Sequence, residues 1–197
     1  MLQQPPPGRL QLVLQRTPEE VFEPDAVADA PLIRFAAYGA HQRVFGWVRL
    51  DADRLTDLVN LHDELSLLDV ELEHLPNGLI GTVDEVVMHR SDLVAVHARG
   101  PRGDETRRHT TRTHPLAIKA GNYLIGGYLH VPPGIDPIKS VHERPPMIPL
   151  TDALIEYWVQ GKRQHQSTGT IVVNRDLADW IQVVTHDDLI EGLLRPA

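Results

Sequence analysis

The sequence predicts an all-β protein of two small barrels in tandem, with a short N-terminal arm and a short C-terminal helix. Three observations carry this expectation. First, the chain repeats itself: "FAAYGAHQRVFGWVRL" (35–50) lines up without a gap on "LAIKAGNYLIGGYLHV" (116–131) and "LLDVELEH" (67–74) on "LTDALIEY" (150–157), while "HRSDLVAV" within 86–96 lines up on "NRDLADWI" within 172–181. The offset grows from 81 to 83 to 85, as if two residues were inserted at each step between strand-like blocks. A repeat sets the architecture before any local argument. Second, each copy breaks into about five short segments of period-two apolar alternation separated by turn signals, which suggests a small barrel. Third, the 197 residues divide into copies of roughly 65–70, near the lower limit for independent stability, so the copies are expected to pack on each other or on further structure.

The elements follow in order. Residues 1–31 form the arm: the prolines of "QQPPPG" keep it out of a central strand, "RLQLVLQR" alternates as a strand, and "TPEEVF" reads as a helix start with Thr17 as cap and Glu20 three residues on. The first barrel spans 32–98. "PLIRFAAY" and "QRVFGWVRL" pair across a turn with Gly39, "DRLTDLVNLHDE" holds a short helical turn with Leu55, Leu58, Val59 and Leu61 inward, and a third strand leads to a hairpin at "LPNG". Two closing strands flank "HRSD". A basic linker spans 99–114. The second barrel, 115–185, repeats the plan with a turn at Gly121-Asn122, a connection "PPGIDPIKSVHERPP" whose prolines argue against a helix, and a hairpin at "QGKRQHQSTG". In the tail, 186–197, Leu189, Ile190, Leu193 and Leu194 share one helical face, and Asp187 and Asp188 suit the helix start. The strand phases predict a core of Val44, Val48, Leu68, Val70, Val87 and Val96 in the first copy and Ile125, Leu129, Ile155, Val172 and Ile181 in the second.

The net charge of −8 is unevenly spread: residues 32–98 carry −6, the linker +3, and 115–185 are neutral. Nucleic acid calls for a basic footprint, which only the linker "RGPRGDETRRHTTRTH" supplies. No run of 18 apolar residues suggests a membrane helix, and "MLQQPPPGR" lacks the pattern of a signal peptide. Cysteine is absent, which excludes thiolate chemistry and fits a cytoplasmic location. Sixteen arginines against three lysines suggest a GC-rich bacterial genome.

Several motifs resemble those of Sm-like (SH3-like) small barrels: Gly46, "TDLVN" (56–60), "LLDVELE" (67–73) and "EVVMHRSDLVAV" (85–96) in the first copy, and Gly126, Gly127, "LTDALIE" (150–156) and "GTIVVNRDLADWIQVV" (169–184) in the second. "RLTDLVN" and "VNRD" also resemble uncharacterised bacterial single-barrel proteins. The resemblance covers about three-quarters of the chain. It implies that Asn60, Arg90 and Arg175 stand at RNA-contacting positions, with His89 and Asn174 just before the two arginines, and that Asp69, Glu73, Asp152 and Glu156 are structural. The sequence departs from that family where the glycine after each arginine is replaced by Ser91 and by Asp176, a carboxylate that repels phosphate.

Arg90 and Arg175 suit forked contacts to an anion or a partner; alternatively each ties down its own turn through Asp92 or Asp176. The linker's Arg102, Arg107, Arg108 and Arg112 complete the set of partner or RNA candidates. The eleven histidines show no ligand spacing, the closest pair being His109 and His114, so no metal is expected. Trp47, Trp158 and Trp180 are expected in the core or between the barrels. No nucleophile triad, phosphate loop or dinucleotide fingerprint appears, so the expectation is no enzyme and no cofactor. The sequence thus predicts a non-enzymatic protein-binding or assembly module, pairing through barrel edge strands at 84–89 and 170–174, with no membrane or DNA contact. The alternative is an RNA-binding regulator that uses the arginine turns and the linker.

Overall fold

The alternating "LIRFAAY" and "QRVFGWVR" become β1 (Leu32–Tyr38) and β2 (Gln42–Arg49), antiparallel, with Tyr38 opposite Arg43. The structure is a computed structural model that describes residues 30–99 and 110–189. The predicted arm strand and helix, Arg102, Arg107, Arg108 and His109, and most of the C-terminal tail lie outside the described residues. After β2 come α1 (Leu55–Leu61), β3 (Glu64–His74), β4 (Ile80–His89), a 3₁₀ turn (Arg90–Asp92) and β5 (Ala95–Arg99). The second half repeats that order: β6 (Arg112–Ala120), β7 (Tyr123–Val131), α2 (Pro137–Glu143), β8 (Met147–Val159), β9 (Lys162–Asn174), a 3₁₀ turn (Arg175–Leu177) and β10 (Trp180–Val183). Residues 186–189 are helical.

The two closed barrels expected from the sequence are not formed. The strands make one open ten-stranded antiparallel sheet in the order β10-β6-β7-β8-β9-β5-β1-β2-β3-β4. The physical reason lies at the two 3₁₀ turns. Neither turn brings the following strand back beside the preceding one; it is carried to the far edge of its half, where β5 pairs with β1 and β10 with β6. The open side of β9 is then taken by β5 of the first half, with Ala95 opposite Val173 and Val96 opposite Val172. The resemblance to Sm-like barrels therefore fails at the level of architecture. So does the assembly module inferred from it: there are no barrel edges to join. Residues 84–89 belong to the end strand of the sheet, and 170–174 lie inside it between β8 and β5.

Each half bends at one repeated irregularity. Asp69 and Val70 together face Gly46, and Asp152 and Ala153 together face Gly127, so β3 and β8 each carry one extra residue against the preceding strand. A Cβ on Gly46 would lie 2.9 Å from the Leu68 carbonyl oxygen, and one on Gly127 would lie 2.9 Å from Leu150 Cβ. Both glycines are required by close approach.

Among the described residues two apolar clusters form the core, and each borrows from the other half. Tyr38, Leu75, Val94 and Ala95 join the cluster of the second half, while Met147 and Val172 join that of the first. Of the core predicted from strand phase, Val44, Val48, Val70, Val96, Ile125, Leu129, Ile155 and Val172 are buried. Leu68 and Ile181 are half-buried. Val87 is 53% exposed, because it stands on the outer face of the end strand. The three tryptophans are also more exposed than expected, at 37% (Trp47), 46% (Trp158) and 45% (Trp180).

The helices correct two further expectations. α1 buries Leu58 and Val59, while Leu61, expected inward, is exposed at its last turn. The proline-rich connection does hold a helix. Pro137 enters at the first turn, where no N–H is needed, and Asp136 caps it by accepting from Lys139 N at 2.8 Å. The hairpin expected at 160–169 turns at Gln160 and Gly161, both at positive φ, and β9 starts at Lys162. No helix among the described residues is long and apolar enough to cross a membrane.

Candidate functional site: a groove between the halves

The seam between the halves is built from polar residues that sequence reasoning had assigned to ligand contact. Asn60, on the last turn of α1, uses its whole amide. Its Nδ2 donates to the Met147 carbonyl at 2.8 Å and to the Thr56 carbonyl at 2.9 Å, and its Oδ1 accepts from Met147 N at 3.1 Å. A side chain that mimics a strand partner in this way fastens α1 to the first residue of β8.

Arg90 points back onto the same helix. Its Nη1 donates to the Asn60 carbonyl at 3.0 Å and its Nη2 pairs with Asp63, while its own N–H donates to the Asp63 carbonyl at 2.7 Å. Arg175 repeats this in the second half: Nη1 donates to the Val141 carbonyl on α2, and Nε lies 3.3 Å from Asp176. Both arginines therefore stand at the C-terminal turn of the helix in their own half, where unpaired carbonyls and the helix dipole favour a cation. Arg175 pairs with Asp176 of its own turn, as one of the two sequence readings had it, whereas Arg90 pairs with Asp63 and not with the expected Asp92; both add a helix carbonyl that the sequence did not signal.

Asn174, only 3% exposed, closes the seam from the other side. Its N–H donates to the Val94 carbonyl at 2.9 Å, Nδ2 to the Arg90 carbonyl at 3.2 Å, and Oδ1 accepts from Asp176 N at 3.1 Å. His89 is solvent-facing, with Nδ1 3.5 Å from Glu64. Arg112 is exposed on β6, opposite Val131, away from the other candidates.

Asn174, Arg90 and His89 thus come together, and with Asp63, Ser91, Pro146, Asp176 and Leu177 they line a groove of about 290 Å³. Both 3₁₀ turns contribute to its wall. Its guanidinium is already committed, whereas the carboxylates of Asp63 and Asp176 are 82% and 63% exposed. The RNA reading loses Arg90 here: the arginine meant for phosphate is paired to a carbonyl and a carboxylate, and two exposed acids flank it.

A second cluster on the seam escaped sequence reasoning. Arg43 lies between Glu73 of its own half and Tyr157 of the other, donating to both, with its guanidinium carbon 4.6 Å from the Tyr157 ring centre. Tyr38 packs edge-on against Tyr123 at 5.7 Å and lies 3.2 Å from both His97 Nε2 and Gln166 Oε1. Burial pushes the phenols of Tyr38 and Tyr123 up, further raised by a neighbouring tyrosine in each case, Tyr157 and Tyr38. These residues hold the halves together. No repeat signal marked them, because Tyr38 matches Lys119 and Tyr157 matches His74.

Among the described residues no group of three His, Cys, Asp or Glu side chains is placed to hold a metal. No family model, curated protein or solved structure matches the chain.

Proposed function

We propose that this chain is a non-catalytic binding protein and that the seam groove holds a small ligand presenting hydrogen-bond donors, an amine or amide. The observation that carries the reading is the composition of the groove. Its arginine is held by the protein's own carbonyl and carboxylate, while Asp63 and Asp176, each paired with one arginine, still turn most of their surface to solvent, where further acceptor lone pairs can meet a guest. Carboxylates that work as general acids or bases are usually desolvated or set against a like charge; these two are exposed and each sits beside an arginine, which supports binding over catalysis.

The groove takes walls from both halves, so a ligand held there favours their junction and raises the melting temperature. Calorimetric titration with small primary amines and amides, with acetate as the control, tests the reading. Saturable binding of the donors, lost in Asp63→Asn/Asp176→Asn, is expected. Binding of acetate instead, or uptake of amines undiminished in the double variant, would overturn it.

A further inference from the structure

A second cavity lies in the first half, and the matching residues of the second half indicate what it accepts. In the first half a cavity of about 330 Å³ is floored by Val48, Leu58, Leu65 and Leu68 and rimmed by His62, Ser66, the cation Arg49 and the three carboxylates of Asp51, Glu64 and Glu85, so the acids outnumber the arginine on the rim. His62 is the residue that ends α1, and the residue that ends α2 is Arg144. Arg144 donates from Nη2 to the carbonyl of His130, the position that matches Arg49 on the rim of the first-half cavity. His130 and Thr151, matching Arg49 and Leu68, hydrogen-bond at 2.9 Å over the same region. Where the first half ends its helix with His62 at this cavity, the second half thus carries an arginine tied to the matching strand. His62, a shorter side chain, turns instead to Asp51, with Nε2 3.1 Å from Oδ2.

The rim has diverged in the same sense. Glu85 and Leu68 lie opposite each other in the β3–β4 pairing, and the matched pair in β8–β9 is Thr170 and Thr151. Asp51 and Glu64 match Pro132 and Met147. The first half thus carries three carboxylates and Arg49 around its cavity, while the second half has no carboxylate at the matching positions.

We propose that the first-half cavity binds a guanidinium group carried on an alkyl chain, whose stem lies on the leucine floor and whose charge meets the rim carboxylates. Planar, forked donors suit a rim of several acceptors, and a flexible apolar stem suits such a floor.

Calorimetric titration with arginine amide and with a short arginine-containing peptide, each against its citrulline counterpart, tests this. It is run in the parent and in Asp63→Asn/Asp176→Asn, so that uptake at the seam groove is scored separately. The expected result is one guanidinium-dependent site that survives in the double variant, weakens about tenfold in Glu85→Gln, and disappears in His62→Arg. In His62→Arg the new side chain should occupy the cavity and raise the melting temperature. Equal binding of citrulline and arginine ligands, or guanidinium binding unchanged in both Glu85→Gln and a folded His62→Arg, would overturn the proposal. Should His62→Arg fail to fold, Glu85→Gln and the citrulline control decide it alone.

Discussion

Asp69 and Asp152, 83 positions apart, hold the same left-handed backbone, with φ of 50° and 45°, and each stands opposite a glycine of the preceding strand. This conformation costs an ordinary L-residue about 1–2 kcal/mol; aspartate tolerates it better than most because its short side chain can bond locally. The bulge it makes lets Gly46 and Gly127 approach the neighbouring strand.

The first expectation concerns those glycines. Gly46→Ala places a methyl 2.9 Å from a carbonyl oxygen, and the backbone has to move to relieve it. A loss of about 1–3 kcal/mol by urea unfolding is expected, with Asp69→Val losing a similar amount and Asp69→Gly staying within about 1 kcal/mol of the parent. Full tolerance of Gly46→Ala would show that the bulge relaxes freely.

Arg90 and Arg175 should behave as structural residues. Arg90→Ala removes a charged donor from the Asn60 carbonyl and should lose about 1.5–3 kcal/mol; little of this comes from the Asp63 ion pair, since that carboxylate is largely exposed. Amide hydrogen exchange should speed up first in α1 for Arg90→Ala and in α2 for Arg175→Ala. Unchanged stability in both variants would free the arginines for another role.

Much of the strand pattern is legible in the sequence, because alternation at period two is a local property. "LIRFAAY" pairs with "QRVFGWVR" across a turn that the sequence marks. What alternation does not encode is which strand takes the open side of another. Val172 and Val173 read equally well as the edge of a closed barrel or as partners of Val96 and Ala95, and the second outcome turns two expected barrels into one sheet. At the seam, the resemblance to Sm-like barrels singled out Asn60, Arg90 and Asn174 by position, and the structure does gather Arg90 and Asn174 at one groove. Their partners are largely main-chain carbonyls, which leave no mark in a sequence. Arg43, Tyr38 and Tyr157 went unseen because their pairings cross between the halves.

The buried tyrosines predict a weakness in alkali. Their neutral forms are favoured in the folded protein, so the unfolded chain, ionising near the ordinary value of 10, releases protons first as pH rises. Their contribution is fully present below that value and is lost progressively above it. Tyr123 adds a reason: its hydroxyl donates to the Gly39 carbonyl at 2.6 Å, which only the phenol can do. Melting temperatures should fall steeply above about pH 10, and less steeply in Tyr38→Phe. An equal slope in that variant would place the alkaline weakness elsewhere.

The last expectation is that neither half folds alone. Tyr38 is wholly buried in the cluster of the other half, and an aromatic side chain of that kind covers about 150–250 Å². At ~25 cal/mol per Å², exposing it forfeits about 4–6 kcal/mol, a large part of the 5–15 kcal/mol typical of a whole domain. Separation also breaks the β5–β9 pairing, strips Asn60 of its Met147 partner, and leaves Arg43 without Tyr157. Fragments 1–104 and 105–197, produced separately, should therefore show no cooperative unfolding transition, and mixing them should restore one. Tyr38→Ala in the full chain should lower the stability of both halves together, read as a single shifted transition. A cooperative melt from either fragment alone, or two separate transitions in the variant, would mean that the halves are autonomous and that the seam is an interface between finished domains.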